Sequence, residues 1–181
     1  MKKLPIGIQT FSNIILDGYC YVDKTPLIHQ LVEEGVYYFL SRPRRFGKSL
    51  LISTLKSAFL GQQDLFKGLY LENHWDWTVQ YPVIHISFGG GVIKNRANLE
   101  LVFDEIIQEY LECYQLSLHN QTLQGRFKEL IRELHHKSQQ KVVILVDEYD
   151  KPILDNITDI ALATEIREGL KNGALEPIFR E

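Results

Sequence analysis

The sequence has little of what a disulfide-bonded protein, a membrane protein or a basic nucleic-acid-binding protein needs. Its 181 residues include two cysteines, Cys20 and Cys113, which lie far apart and form no CxxC pair. We therefore expect no disulfide cross-link and no cysteine-based zinc site, and we expect a reducing compartment. The longest apolar runs, such as residues 142–146, are far shorter than the roughly 20 residues of a membrane-spanning helix. Lys and Arg number 20 against 23 Asp and Glu, a net charge of −3, which predicts no broad basic surface for nucleic acid.

The sequence also lacks internal repeats, low-complexity segments and a linker rich in Pro, Gly or Ser. The residues after Met1 do not form the apolar core of a secretory signal peptide, because Pro5 and Gly7 interrupt a short mixed stretch. Hydrophobic residues make up 45% of the chain, which is enough for a sizeable buried core. We therefore expect a cytoplasmic protein without a membrane segment, built mainly from one domain.

Apolar patterns predict helices and strands in alternation. Short apolar runs predict strands at residues 36–40, 83–88 and 142–146. Apolar residues spaced three and four apart predict helices at residues 25–34, 48–60, 99–113, 123–134 and 159–171. This order favours right-handed crossovers, and so an α/β fold with a mainly parallel sheet flanked by helices.

Two local patterns mark the N-terminal part of the chain. Ser12-Asn13 is a turn-forming pair, so we expect a turn there. Thr25-Pro26 predicts the start of the first helix, with Thr25 as its N-cap residue and Pro26 at the first helical position. Gly35 is expected to end that helix.

The most informative segment is the loop at residues 42–49, with the sequence RPRRFGKS. It lies between a predicted strand and a predicted helix, where backbone N–H groups and the positive end of a helix dipole favour a bound anion. Gly47 allows the main chain to approach a polyphosphate closely. In such a loop Lys48 reaches the terminal phosphates and the Ser49 hydroxyl binds Mg²⁺. The segment therefore predicts a nucleotide-phosphate site.

The loop departs from the full Walker A pattern at its first position. The pattern G-x-x-x-x-G-K-[ST] requires glycine at position 42, and this chain has Arg42. The alternative is a basic turn that caps a helix, since G-K-S alone also occurs by chance. The position between a strand and a helix, together with an acidic strand end downstream, favours the phosphate site.

A pair of acidic residues ends the third predicted strand. Asp147 and Glu148 follow the aliphatic run at residues 142–146, an arrangement typical of a Walker B motif. Asp147 is then expected to hold the Mg²⁺ shell, and Glu148 to polarise the attacking water. Ligands bind at the carboxyl edge of a parallel sheet, so these acids and the loop are predicted to meet over one nucleotide. The alternative is a solvated acidic turn after a core strand.

Five segments occur together in the chain: YVDKT at residues 21–25, RPRRFGKSL at 42–50, LFKGL at 65–69, YPVI at 81–84 and VDEYDKPI at 146–153. In this combination the chain resembles the AAA-ATPase-like proteins of bacteria, and the resemblance extends to about Asn172. Members of that family usually join a P-loop domain to a C-terminal PD-(D/E)XK nuclease-like domain. Arginine is normal at their first Walker position, so Arg42 agrees with the family.

The resemblance implies a P-loop NTPase-type domain that binds ATP with Mg²⁺ and hydrolyses it. It implies catalytic roles for Lys48 and Glu148, and metal ligation by Ser49 and Asp147. The residues implied to bind the nucleotide form one continuous stretch: Arg44, Arg45, Phe46, Gly47, Lys48, Ser49 and Leu50. For the two arginines in that stretch, phosphate contact is preferred over a role as a finger on a neighbouring subunit.

The C-terminal residues depart from the family pattern. The resemblance implies a P-loop domain over residues 1–172, whereas residues 173–181 form a divergent tail where a strand with a polar sensor residue is expected. The fold is thus predicted to be incomplete at its C-terminus, truncated before an effector domain. Besides nucleotide, the expected partner is a second copy of the chain or an effector domain in a longer protein. The alternative to an ATPase is a non-hydrolysing regulatory module that responds to nucleotide, or an inactive remnant.

Overall fold

The computed structural model describes residues 2–43 and 45–172 of the chain, without the side chains of residues 171 and 172. The chain forms two units that divide after Val83, and each has its own set of buried side chains. Arg44 and the predicted tail at residues 173–181 lie outside the described residues. Among the helices that are described, none is both long enough and apolar enough to cross a lipid bilayer.

The first unit is helical and closes around a cluster of aromatic side chains. Phe11 and Phe66 are completely buried, and their ring centroids lie 4.9 Å apart. Tyr21 packs edge-on against Phe11 at 5.2 Å, and Trp77 lies 5.0 Å from Phe66. Because such aromatic pairs stabilise a core beyond the area they bury, these rings hold together several short helices. The helices are α1 (Phe11–Leu16), α2 (Thr25–Glu34), α3 (Lys48–Phe59) and two 3₁₀ turns at Gln63–Phe66 and Tyr70–Asn73.

A hydrogen-bond network joins the start of α2 to the second 3₁₀ turn. Thr25 is fully buried, and its hydroxyl donates to Asp23 Oδ1 at 2.7 Å and accepts from the backbone N–H of Leu71 at 3.2 Å. Asp23 also accepts the backbone N–H of Tyr70, at 2.7 Å. The predicted N-cap role of Thr25 is therefore wrong, because Lys24 occupies that position and the Thr25 hydroxyl satisfies buried groups instead.

The second unit packs helices against a small parallel sheet. Its strands are β1 (Val83–Ser87), whose first residue is the last of the first unit, and β2 (Val143–Asp147). Its helices are α4 (Arg96–Tyr114), α5 (Leu123–Ser138), α6 (Lys151–Leu154) and α7 (Ile160–Asn172). The two long helices begin at side-chain caps: Asn95 accepts from the N–H of Asn98, and Thr122 accepts from that of Gly125. Helices combined with a parallel sheet agree with the predicted α/β class.

The core of the second unit lies between the sheet and the helices α4, α5 and α7. The apolar residues of α4 and α5 face inward at helical spacing, as the sequence pattern predicts. The buried members are Ile84, Ile86, Phe88, Ile93, Leu99, Phe103, Ile107, Phe127, Leu130, Leu134, Ile166 and Leu170. This packing holds the ends of β1 and β2 in place, and the acidic pair follows from the end of β2.

The prediction of a strand at residues 36–40 is wrong. These residues form no strand, and Val36 and Phe39 are 80% and 70% exposed. Within the described part of the chain, the sheet consists of β1 and β2. An apolar run of β-branched and aromatic residues indicates that the side chains tolerate burial, but a strand also requires a neighbouring backbone that forms a ladder with it. The loop at residues 42–49 therefore follows an irregular segment.

The turn predicted at Ser12-Asn13 is also wrong, since both residues lie inside α1. Phe11 and Ile14 are completely buried at helical spacing, and this burial overrides the turn preference between them. The other predicted helices, and the strands at 83–88 and 142–146, are confirmed, with ends that differ by a few residues.

Candidate functional site

Within the loop at residues 42–49, Gly47 directly precedes the first helical residue of α3. Gly47 is the N-cap residue of α3, with φ 75° and ψ 22°, in the left-handed region that glycine adopts without strain. No side chain among the described residues caps this helix. The N–H groups of its first turn are thus available to an anion, at the positive end of the helix dipole. A Cβ on Gly47 would meet no atom within 4 Å, so the space beside the glycine is open.

Lys48 folds back over the loop. Its Nζ donates a hydrogen bond of 2.9 Å to the backbone carbonyl of Arg42, six residues earlier. The bond holds the Lys48 side chain against the first residue of the loop and places its positive charge there. A phosphate oxygen that accepts from Lys48 would take the place of the Arg42 carbonyl, as expected of a lysine that serves as a point charge for phosphate.

The remaining loop residues are exposed or half-buried. Arg45 is exposed and has a φ of 67°, which is uncommon for a residue with a side chain. Phe46 is 62% exposed. Ser49 and Leu50 lie half-buried on the first turn of α3. The predicted contact of Arg44 lies outside the described residues.

The acidic pair ends β2 in a strained turn. Asp147 is half-buried, and its Oδ1 accepts the backbone N–H of Glu148 at 2.9 Å. Glu148 has a φ of 53°, a conformation that costs a non-glycine residue on the order of 1 kcal/mol and occurs often at functional sites. The backbone N–H of Phe88 donates to the Asp147 carbonyl at 3.3 Å. The pair therefore stands at the carboxyl end of the parallel sheet, beside the end of β1, where ligands of such sheets bind.

The Glu148 carboxylate lies against the loop that follows β1. A Cβ placed on Gly89 would come within 2.8 Å of Glu148 Oε2 and within 3.4 Å of Ser87 Oγ. Lys151, at the start of α6, reaches the same loop, because its Nζ donates to the carbonyl of Gly91 at 2.6 Å. From the sequence, neither Gly89 nor Lys151 was assigned to the site. The one signal for Lys151 was its place in the VDEYDKPI segment, and nothing in the sequence links Gly89 to Glu148.

The predicted Mg²⁺ ligands are the hydroxyl of Ser49 and the carboxylate of Asp147. Both are hard oxygen donors of the kind that Mg²⁺ prefers. In the part of the chain that the structure describes, no three His, Cys, Asp or Glu side chains are grouped so that they could hold a metal by themselves. This donor set fits a cation that keeps several waters and binds phosphate oxygens, as Mg²⁺ does when it accompanies a nucleotide.

The predicted site residues fall into two groups, one in each unit. The loop and the start of α3 belong to the first unit, and Asp147 and Glu148 belong to the second. Within its own unit, each group has the backbone geometry just described. That Lys48 and Ser49 meet Asp147 and Glu148 over one nucleotide remains a prediction.

Comparison with known proteins identifies the family. Over 172 residues, which are 94% of this chain, the sequence is 51% identical to a protein of Azotobacter chroococcum mcd 1 described as "Uncharacterized protein in vnfD 5'region". The chain spans 33% of that relative's length. No solved structure matches the chain significantly. The sequence pattern of the AAA-ATPase-like family, described as "Predicted AAA-ATPase", matches residues 5–173, and the chain therefore belongs to the AAA-ATPase-like family.

Proposed function

We propose that this chain binds ATP with Mg²⁺ through the loop at residues 42–49 and hydrolyses it with the help of Asp147 and Glu148. The observation that carries the proposal is the start of α3, where a left-handed Gly47 precedes a helix that no described side chain caps. A glycine-led helix N-terminus with a lysine at its first position is built to receive a polyphosphate. Membership of a family described as "Predicted AAA-ATPase" supports the nucleotide as the ligand.

On this proposal the loop binds the phosphates by backbone and charge. The N–H groups that follow Gly47 donate to phosphate oxygens. The Lys48 ammonium releases the Arg42 carbonyl and donates to the β- and γ-phosphates instead. Arg45, exposed on the same loop, adds positive charge near them. When bound, Mg²⁺ would neutralise charge on the β- and γ-phosphates, held by Ser49 and Asp147.

The hydrolytic step uses the acidic pair. Glu148 orients a water and accepts its proton while the water oxygen bonds to the γ-phosphorus and the bond from that phosphorus to the bridging oxygen breaks. The products are ADP and phosphate, and no oxidant or reductant is needed. The strained backbone of Glu148 supports this role, because residues held in strained backbone conformations cluster at active sites.

The test of binding is a comparison of two lysines on one helix. Lys48→Ala should weaken equilibrium binding of labelled ATP in the presence of Mg²⁺ at least tenfold, because it removes the phosphate contact. Lys56→Ala, in the last turn of α3, should leave binding unchanged. Equal binding by the parent and the Lys48 variant would overturn the proposal.

Phosphate release separates hydrolysis from binding alone. Glu148→Gln should keep ATP affinity and lower the rate of phosphate release by about 100-fold or more, the usual effect of losing a positioned acid–base group. A parent protein that binds ATP tightly and releases no phosphate would instead be the non-hydrolysing regulatory module. Since the Azotobacter relative is about three times as long as the matched region, we also propose that the nucleotide cycle acts on a further domain or a second copy.

A further inference from the structure

We propose that Gly89 and Lys151 are positioning residues that hold the Glu148 carboxylate in place, an inference that rests on the proposed role of Glu148 in hydrolysis. All three residues belong to the second unit and lie at the carboxyl end of its sheet. Gly89 provides the space that the carboxylate occupies. Lys151 ties the loop that carries Gly89 to the turn that carries Glu148.

The glycines at residues 89–91 show why the missing side chain at Gly89 matters. Gly91 has a φ of 112°, so its backbone conformation by itself requires glycine. Gly89 has no such requirement, and a Cβ there would lie 2.8 Å from Glu148 Oε2. A Cβ on Gly90 would meet nothing within 4 Å. Of these residues, Gly89 is the one where glycine leaves room for the carboxylate.

Lys151 contacts both sides of this arrangement. Its backbone N–H donates to the Glu148 carbonyl at 3.0 Å, and its Nζ donates to the Gly91 carbonyl at 2.6 Å. The same ammonium group pairs with Asp155 at 2.6 Å, one turn further along the chain, which fixes its direction. Short bonds from a charged donor are stronger than neutral ones, so the loop and the acidic turn are held as one piece.

The consequence for Glu148, an exposed residue, is that the Gly89 backbone bounds its side chain on one side. The backbone at φ 53° sets the direction of its Cα–Cβ bond, and the Gly89 backbone limits where the carboxylate can go. A carboxylate with fewer accessible positions loses less rotamer freedom when it orients a water, and a small displacement of a catalytic group lowers the rate steeply. Removal of either support should therefore lower turnover with little effect on nucleotide affinity.

The first experiment compares neighbouring glycines in the purified protein. Gly89→Ala should lower kcat for ATP about tenfold or more, with the ATP dissociation constant unchanged, while Gly90→Ala leaves both unchanged. In the Glu148→Gln background, Gly89→Ala should cause no further loss, because both changes act on one group. Equal kcat values for the two alanine variants, or full additivity with Glu148→Gln, would overturn the role of Gly89.

The second experiment reports on the carboxylate without turnover. The ¹³C chemical shift of the Glu148 carboxyl carbon, assigned by its loss in Glu148→Gln, should move in Gly89→Ala and in Lys151→Met. Lys137→Met serves as the matched control, since Lys137 also donates to a backbone carbonyl, that of Tyr114 at 2.5 Å. The control should leave the signal unmoved. An unmoved signal in Lys151→Met and Gly89→Ala would overturn the inference, whereas moved signals in a protein that hydrolyses no ATP would overturn the proposed function alone.

Discussion

At the scale of single residues, Glu129 shows how one buried carboxylate organises a loop. The residue is only 4% exposed, and its Oε2 accepts the backbone N–H of His119 and both the backbone N–H and the side-chain amide of Asn120. The hydrogen bonds from Asn120 hold the pKa of Glu129 below its ordinary value of 4.5, although burial opposes them. The loop before α5 is thereby fixed to the helix by a buried carboxylate.

Acid should therefore remove the contribution of Glu129 to stability. The pKa in the folded state is lower than in the unfolded chain, so the contribution is complete above about pH 4.5 and is lost as the pH falls through the folded value. Glu129→Gln should lower the midpoint of thermal unfolding at neutral pH, and the difference from the parent should shrink below pH 4.5. Glu133→Gln, at a surface ion pair with Arg132, should change little. A difference that does not depend on pH would show that the shape of Glu129 matters and its charge does not.

Residue-scale prediction from the sequence was uneven for a physical reason. Gly47, Asp147 and Glu148 stand directly at the ends of elements, so a local pattern places them. Gly89 and Lys151 derive their roles from contacts with residues far along the chain, and no local spacing encodes these contacts.

At the scale of elements, the join between α2 and the second 3₁₀ turn depends on two side chains. Burial pushes the pKa of Asp23 upward, but the hydrogen bonds from Tyr70 and Thr25 outweigh it, so the pKa is lowered overall. The carboxylate and the Thr25 hydroxyl together accept the N–H groups of Tyr70 and Leu71. The YVDKT segment thus has a structural task in the first unit, apart from any contact with nucleotide.

Thr25→Val should test this join with almost no change in side-chain volume. The substitution leaves the buried N–H of Leu71 without its acceptor, which costs about 1–3 kcal/mol. The midpoint of urea unfolding, followed by tryptophan fluorescence, should therefore fall. Thr78→Val is the matched control, because Thr78 makes a similar bond to Asp76 at an exposed position. Equal midpoints for the two variants would contradict a structural role for Thr25.

Elements were predicted well where one face is buried within the unit. Helices α4 and α5 show this, since their apolar spacing matches the side chains that are buried. The strand predicted at residues 36–40 failed because backbone pairing depends on a partner segment, which composition does not specify.

At the scale of the whole molecule, the proposed site draws on both units of the chain. Lys48 and Ser49 come from the first unit, and Asp147 comes from the second. If these groups serve one nucleotide, then Asp147 should affect ATP binding at the loop, and only when the metal is present. Neither unit alone would produce this effect.

Asp147→Asn should weaken ATP binding only when Mg²⁺ is present. With Mg²⁺ the dissociation constant should rise about tenfold, equivalent to about 1.4 kcal/mol, and with EDTA it should equal that of the parent. Asp150→Asn, in the same acidic turn, should behave like the parent under both conditions. Isothermal titration calorimetry measures all of these constants. An equal loss of affinity with and without Mg²⁺ would contradict metal ligation by Asp147.

The sequence by itself determined the α/β class, most of the helices and the family, because apolar periodicity and short motifs are local properties of the chain. Local patterns also placed Gly47 at the start of a helix and Asp147 at the end of a strand. Only the tertiary structure decided that residues 36–40 lie outside the sheet, that Thr25 faces the core, that Gly89 lies beside the Glu148 carboxylate, and that Lys151 bonds to the loop of Gly91. Each of these depends on which distant backbone lies beside a residue, and packing of the whole unit settles that question.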